Sequence, residues 1–254
     1  MMKPHERHTQ ILQLLRQDGF VTVVDLSQTL DVSQMTIRRD LDELQEIGLL
    51  SRYHGGASLA PERGDMEWPF MLREREHLEQ KQRIGKKAAA YVQHGDVVIL
   101  DGGSTVLQAA KHLTQDRLTV MSNCLPTLSI LASRRNINLM GTGGTFYWDN
   151  QCFIGPIAVN AIKSINANIA LMGVSGLSLK NGMTNRKLEE ADVKRAMIEA
   201  AVKRILLMDS SKMNCHTLAT VGPVEMIDIL ITDEGLAPTD QAAIEARGVE
   251  VVIV

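Results

Sequence analysis

The chain has 254 residues, 44% of them hydrophobic, and a formal net charge of −3. That length exceeds one minimal DNA-binding module and suits a small module joined to a larger domain with a substantial core. The charge excludes a chain coated in basic residues, such as a histone-like protein, but leaves room for a local basic surface. The polar opening MMKPHERHTQ leads into no apolar signal region, and no run approaches the ~18 apolar residues of a membrane span. Cys124, Cys152 and Cys215 are scattered, without a CxxC pair, which predicts reduced thiols in a cytoplasmic protein. The seven histidines follow no metal-ligand spacing, so no metal is expected.

The first predicted helix covers Glu6 to Arg16, with Ile11, Leu14 and Leu15 inward and Asp18-Gly19 as its stop. Phe20-Val21 reads as a short apolar connector. Thr22 then caps a second helix from Val23 to about Leu30, with Val23, Leu26 and Leu30 facing inward. Asp31-Val32-Ser33 makes a tight turn, and Ser33 caps a third helix from Gln34 to about Ile47. Ile37, Leu41 and Leu44 form its core-facing stripe.

Ser33, Gln34, Met35, Thr36, Arg38 and Arg39 are left around the start of that helix. A helix-turn-helix reads base edges from this place. Arginine forks onto guanine, glutamine pairs with adenine, and a methyl-bearing side chain touches thymine. Asp40 fits an intramolecular partner for an arginine or for a backbone group better than a base contact. After Gly48 the run LLSRYHGGA alternates and turns at Gly55-Gly56, as a hairpin wing would, with Arg52 and His54 on one face towards phosphate or a minor groove. Residues 1–57 thus read as a winged helix-turn-helix that binds double-stranded operator DNA.

Arg7, Ile11 and Leu15, the run Thr36-Ile37-Arg38-Arg39-Asp40-Leu41 with Ser33 before it, and the YHGGA wing together resemble the DeoR family of sugar-metabolism regulators. The charged face of the third helix, taken alone, also fits an ordinary solvated face. It is the ordered set of caps, stripe, turn and wing that carries the resemblance.

Residues 58–75 are polar, with Pro61 and Gly64, and read as a linker, with Trp68, Phe70, Met71 and Leu72 available to dock on one domain. Arg73 to Gln93 has a charged helical pattern. From there, apolar runs alternate with helices. The runs are VVIL (97–100), LTVMS (118–122), INLMG (137–141), IALMG (169–173), RILLMD (204–209), DILIT (228–232) and VEVVIV (249–254). Helices are predicted near Val106–Leu113, Pro126–Ser133, Glu189–Val202 and Thr239–Arg247. Residues 76–254 therefore read as an α/β domain with a mostly parallel sheet.

Ligands of such sheets bind beyond the carboxyl ends of the strands. There the sequence places Asp101-Gly-Gly-Ser-Thr105, Ser122-Asn123, Gly141-Thr-Gly-Gly144, Gly173-Val-Ser-Gly176 and Asp209-Ser-Ser-Lys212. A glycine-rich strand-to-helix turn offers bare amides to an anion, although such turns are also common as plain connections. It is neither a P-loop nor G-x-G-x-x-G, so no nucleotide cofactor is expected. Glu190 and Lys194 share a helix face, as an exposed ion pair or as part of a site.

The DeoR resemblance extends over these turns. It implies a sensor domain similar in fold to ribose-5-phosphate isomerase and the CoA-transferases, responding to a phosphorylated sugar. The residues it implies for holding the effector are Asp101, Gly103, Ser104, Thr105, Gly143, Gly144, Ser175, Gly176, Glu190, Lys194 and Lys212. The expected function is an effector-controlled regulator, a repressor in most of the family, working as a homo-oligomer and not as an enzyme. Two alternatives remain open at this point. One is a sugar-phosphate isomerase-like enzyme with a DNA-binding appendage, using Glu190 as base. The other is a constitutive DNA binder whose large domain only oligomerises.

Overall fold

The computed structural model describes residues 3–53, 55–59, 70–74 and 76–254. The chain divides into two compact units between residues 68 and 69. The first contains α1 (Pro4–Asp18), β1 (Phe20–Thr22), α2 (Val23–Thr29), α3 (Gln34–Glu46), β2 (Leu50–Tyr53) and β3 (Gly56–Leu59). Proline at the first turn and the Glu6 carboxylate, which accepts from the Lys3 N–H at 3.0 Å, start α1. Gly19, at φ 72°, ends it. The Thr22 hydroxyl accepts from the Asp25 N–H (3.1 Å) and the Ser33 hydroxyl from the Thr36 N–H (3.2 Å), so both expected caps form.

Ile11, Leu12, Leu15, Leu26, Ile37, Leu41 and Leu44 make the core of this unit. Leu12 takes the place expected of Leu14, which is half-exposed. Phe20 and Val21 are not a bare connector. They pair antiparallel with Ala57 and Ser58, giving a three-stranded wing in the order β1-β3-β2. Buried Val21 explains why the chain is extended here: its side chain covers the core while its backbone completes the sheet.

The second unit opens with α4 (Phe70–Arg73) and α5 (Leu78–Ala89). The expected continuous helical pattern from Arg73 is broken at His77, whose φ is 54°. Residues 58–75 are accordingly not all connector, since Ser58–Leu59 belongs to β3 and Phe70–Arg73 to α4. There follow β4 (Val97–Leu100), α6 (Ser104–His112), β5 (Thr119–Ser122), α7 (Leu125–Leu131), β6 (Asn138–Gly141), β7 (Thr145–Tyr147), β8 (Cys152–Ile154) and α8 (Pro156–Lys163). The chain continues with β9 (Ala167–Met172), β10 (Gly176–Ser178), β11 (Gly182–Asn185), α9 (Leu188–Ala200), β12 (Ala201–Leu207), β13 (Ala219–Gly222), β14 (Ile229–Thr232), α10 (Pro238–Glu245) and β15 (Glu250–Ile253).

Seven strands form one parallel sheet in the order β15-β14-β12-β9-β4-β5-β6. They are the seven apolar runs of the sequence. Side chains alternate across the sheet. Val98, Leu100, Leu171 and Leu207 meet Ile84 and Ala88 of α5 and Ala109 of α6 on one face. Ile99, Ala170, Leu206 and Leu230 meet Ile162 of α8, Ala196 and Met197 of α9 and Ile244 of α10 on the other. Burial on both faces is why these strands read as continuous hydrophobic runs. Two further pieces lie outside this sheet: a β7–β8 hairpin and an antiparallel β10-β11-β13 sheet. Among the described residues, no helix is long and apolar enough to cross a membrane.

Candidate nucleic-acid interface and ligand site

The Ile37–Leu41–Leu44 stripe is fully buried, and this turns the opposite face of α3 outward. Gln34, Met35, Arg38 and Arg39 are exposed, Met35 to 72%. Arg39 lies 3.5 Å from Glu43 one turn on. Arg38 has no hydrogen-bond or ion-pair partner among the described residues. Ser33 and Thr36 are differently occupied: their hydroxyls meet at 2.9 Å and both serve the helix cap. Arg52 is bonded to Asp42 of α3, so it anchors the wing to the helix, and a phosphate would have to compete for it. His54 lies outside the described residues.

Behind this face sits a buried charge. Both oxygens of Asp40 accept from the Arg7 guanidinium, at 2.6 and 2.8 Å, and the two side chains are only 3% and 7% exposed. This is the arginine partner expected for Asp40. Its hydrogen bond to the carboxylate holds the Arg7 pKa above its ordinary value. His8 Nε2 lies 3.2 Å from Asp40 and 3.5 Å from Glu43. An imidazole and two carboxylates so close are a possible cation donor set. Arg7 already supplies the positive charge, so the cluster reads as an ion-pair network joining α1 to α3.

In the second unit, parallel strands bring their carboxyl ends to one rim. Asp101 ends β4, and its Oδ2 accepts from the Gly173 N–H beyond β9 (2.9 Å) and from the Lys194 ammonium of α9. Both charged side chains are buried. Burial alone would lower the Lys194 pKa, but the carboxylates of Asp101 and Glu190 outweigh it and raise it. Glu190, one turn before, accepts from Asn150 of the β7–β8 turn and from Asn185 of β11 (3.4 Å). The exposed-pair reading of Glu190 and Lys194 is thereby replaced: both are buried, and each bonds elsewhere. Lys212 donates to the Val174 carbonyl at 2.9 Å, and the Ser175 N–H donates to Asn185 at 3.3 Å.

Gly103 is the N-cap of α6 and provides no side-chain cap, so the helix starts with bare amides at Ser104 and Thr105. A Cβ on Gly173 would lie 3.9 Å from Gly103, which puts the α6 start beside the Asp101–Lys194 pair. Asn123, at the end of β5, is buried with its Oδ1 unpartnered. Asp101, Gly103, Ser104, Thr105, Ser175, Glu190, Lys194 and Lys212 therefore gather along one rim. Gly143, Gly144 and Gly176 have other reasons to be glycine. A Cβ on Gly144, at φ 116°, would meet the Ile154 carbonyl at 2.7 Å, and one on Gly176 would meet that of Cys215 at 2.6 Å.

Beside Lys212 opens a separate pocket of about 300 Å³, lined by residues that include His77, Asp209, Asp233 and Glu234. Its acidic wall suits no phosphate. Between pocket and rim lies Lys81, pushed down to about 8 by burial and by the nearby Lys212 charge. The rim also includes residues that the strand–turn patterns did not single out. Asn150 and Asn185 sit in the hairpin and the small sheet, where only short alternating runs such as TFY and CFI hint at structure.

Residues 7–63 match the family model of the DeoR-like helix-turn-helix domain, and residues 76–234 match that of the DeoR C-terminal sensor domain. The chain belongs to the DeoR family. It is 36% identical to the HTH-type transcriptional regulator GolR of Listeria innocua, over 91% of each chain. It is 30% identical to the glycerol-3-phosphate regulon repressor of Escherichia coli, over 91% of this chain and 92% of that one. Among solved structures, ribose 5-phosphate isomerase from Plasmodium falciparum aligns with 54% of this chain and 52% of its own, at 17% identity and a TM-score of 0.38. As a DeoR-family member the chain is a helix-turn-helix transcriptional regulator with a sensor domain, and its family is one of regulators rather than enzymes.

Proposed function

We propose that this regulator represses a carbohydrate-utilisation operon and that a phosphorylated sugar, bound at the Asp101–Lys194–Glu190 rim, alters its hold on operator DNA. The observation that carries the reading is an uncapped α6 amino terminus beside a buried lysine and two buried carboxylates. Amides at a helix start favour phosphate. Glu190, Asn123 and Asn185 offer acceptors and donors for hydroxyl groups, and Lys212 adds positive charge. An effector acts through its unequal affinity for two states of the protein. Gln34, Met35, Arg38 and Arg39 would read the major groove of two half-sites, from two copies of a cytoplasmic homo-oligomer. The name of the Escherichia coli relative, a glycerol-3-phosphate regulon repressor, and the family assignment support this reading.

A thermal-shift panel of glycerol 3-phosphate, ribose 5-phosphate and other sugar phosphates tests the sensor half. At 100 times its Kd, a bound effector adds about 2.7 kcal/mol of stability. A panel in which no sugar phosphate raises the Tm sinks the sensing claim. The DNA half is tested by Arg38→Ala against a duplex that the wild-type protein selects from random sequence. A lost bidentate contact to guanine costs about 1–3 kcal/mol, or roughly 5- to 150-fold in Kd, and relaxes selectivity at one base pair. Uniform weakening on all sequences would make Arg38 a phosphate contact instead.

A further inference from the structure

The β7–β8 turn and α4 are bound to each other, and one of the bonds continues into the ligand rim. The Phe70 N–H donates to the Asp149 carbonyl at 2.8 Å. The Phe70 ring is buried among Leu107, Cys124 and Cys152. The Arg73 guanidinium donates to Asn150 Oδ1, and the Nδ2 of the same amide donates to Glu190 Oε1. Asn150 is 2% exposed, so its amide bridges the two charges out of water. Lys81 holds the carbonyls of Arg73 and Glu76 from the other side. Glu74 pairs with Lys111 of α6 at 2.8 Å. Of these ties, the Arg73–Asn150–Glu190 chain is the one that ends on a residue of the candidate site.

We infer that Arg73 is a positioning residue that reports occupancy of the rim at Glu190 to α4, the first helix of the sensor unit among the described residues. The inference rests on the effector reading above. On this reading, a polyol hydroxyl that donates to Glu190 shares its carboxylate with Asn150. A carboxylate oxygen accepts more than one hydrogen bond, but the amide must tilt to share it. Asn150 has one carboxamide, so tilting its Nδ2 away from Glu190 also moves the Oδ1 that Arg73 binds. The guanidinium fork is directional and always charged, and it responds to that displacement rather than averaging over it. α4 is the first described element of the sensor unit in chain order, so a change in how it is held falls at the end of that unit nearest in sequence to the DNA-binding unit.

The test measures the ratio of operator Kd with and without effector, in the full chain. Glycerol 3-phosphate and ribose 5-phosphate are the probes, and the duplex is the one selected by wild type. A purely structural role would shift both Kd values together and leave their ratio unchanged. For wild type the expected ratio is on the order of tenfold. Arg73→Met keeps an unbranched side chain of similar length but removes the donors, and with them the guanidinium that lies 5.7 Å from the Phe70 ring centroid. Its ratio is expected to fall below about twofold, while its thermal shift with the same probe stays at the wild-type value. Arg73→Lys, which restores one donor, is expected to recover part of the ratio. It also covers the case in which the Met variant fails to fold. A wild-type ratio in Arg73→Met overturns the inference and leaves the effector reading standing. Loss of the thermal shift in Arg73→Met also overturns it, by making Arg73 a ligand contact. A wild type whose operator Kd no sugar phosphate of the thermal-shift panel moves, these two probes included, removes the effector reading itself, and the inference falls with it.

Discussion

Asp40→Ala is expected to unfold the DNA-binding unit and leave the sensor unit intact. The substitution removes the carboxylate that takes two hydrogen bonds from the Arg7 guanidinium, in a site where that side chain is 7% exposed. Removing one partner of a buried pair costs about 3–5 kcal/mol, because the remaining charge stays desolvated. A unit of roughly 60 residues has little more stability than that to lose. Hydrogen exchange reads the result directly: α1 and α3 amides should lose protection, while those of β4, β9 and β12 keep theirs. Operator binding disappears with the fold, whereas Arg38→Ala loses affinity with the fold intact. Wild-type protection in α1 and α3 of the Asp40→Ala chain would show that the pair does not hold these helices together.

Lys194→Met is the corresponding change in the sensor unit, and its effect is expected to be as large. It removes the buried cation that Asp101 binds and whose charge also acts on Glu190. A destabilisation of about 3–5 kcal/mol follows, or less if one carboxyl takes up a proton. The double variant Asp101→Asn/Lys194→Met removes both charges and is expected to recover much of the loss. The coupling belongs to a double-mutant cycle on thermal melts. The pH sign is definite. A lysine whose folded pKa is raised stabilises fully below its unfolded value, near 10.4, and loses that contribution as pH rises through the folded value. The wild type and the Lys194→Met chain should therefore converge in stability only in alkali. Additive single and double variants would mean that the pair contributes nothing as a pair.

The parallel sheet and the winged helix-turn-helix were legible because each rests on a local rule. Strands buried on both faces, such as Val97–Leu100 and Ile229–Thr232, appear as unbroken apolar runs. Thr22 and Ser33 announce helices because a side-chain oxygen must meet an amide three residues on. The helix at the DGGST turn is harder to place. Its first turn is Ser104-Thr105 themselves, two residues before the apolar periodicity begins.

What escaped the sequence depends on long-range pairing. Phe20-Val21 becomes a strand only because Ala57 and Ser58 arrive beside it. Asn150 has no local signature. Its role comes from a short hairpin that carries it to Glu190, 40 residues away. Arg52 looked free for DNA because nothing in the wing pattern shows that Asp42 stands opposite. Cys124 and Cys152, scattered in sequence, lie side by side, and their proximity lowers the pKa of Cys124 and, with burial, raises that of Cys152.

The Arg52–Asp42 bond has a consequence for how the regulator finds its site. It joins wing and recognition helix before any DNA is present, and the Arg7–Asp40 pair does the same for α1 and α3. The ordering entropy of these elements is lost during folding, so little of it remains to be lost on the duplex. The long side chains on the outer face of α3 are exposed, and on the proposed reading they are the part left to order on base edges. If α3 reads the duplex as proposed, correct and incorrect sequences would meet the same surface at similar rates, and selectivity would reside in how long each complex lasts.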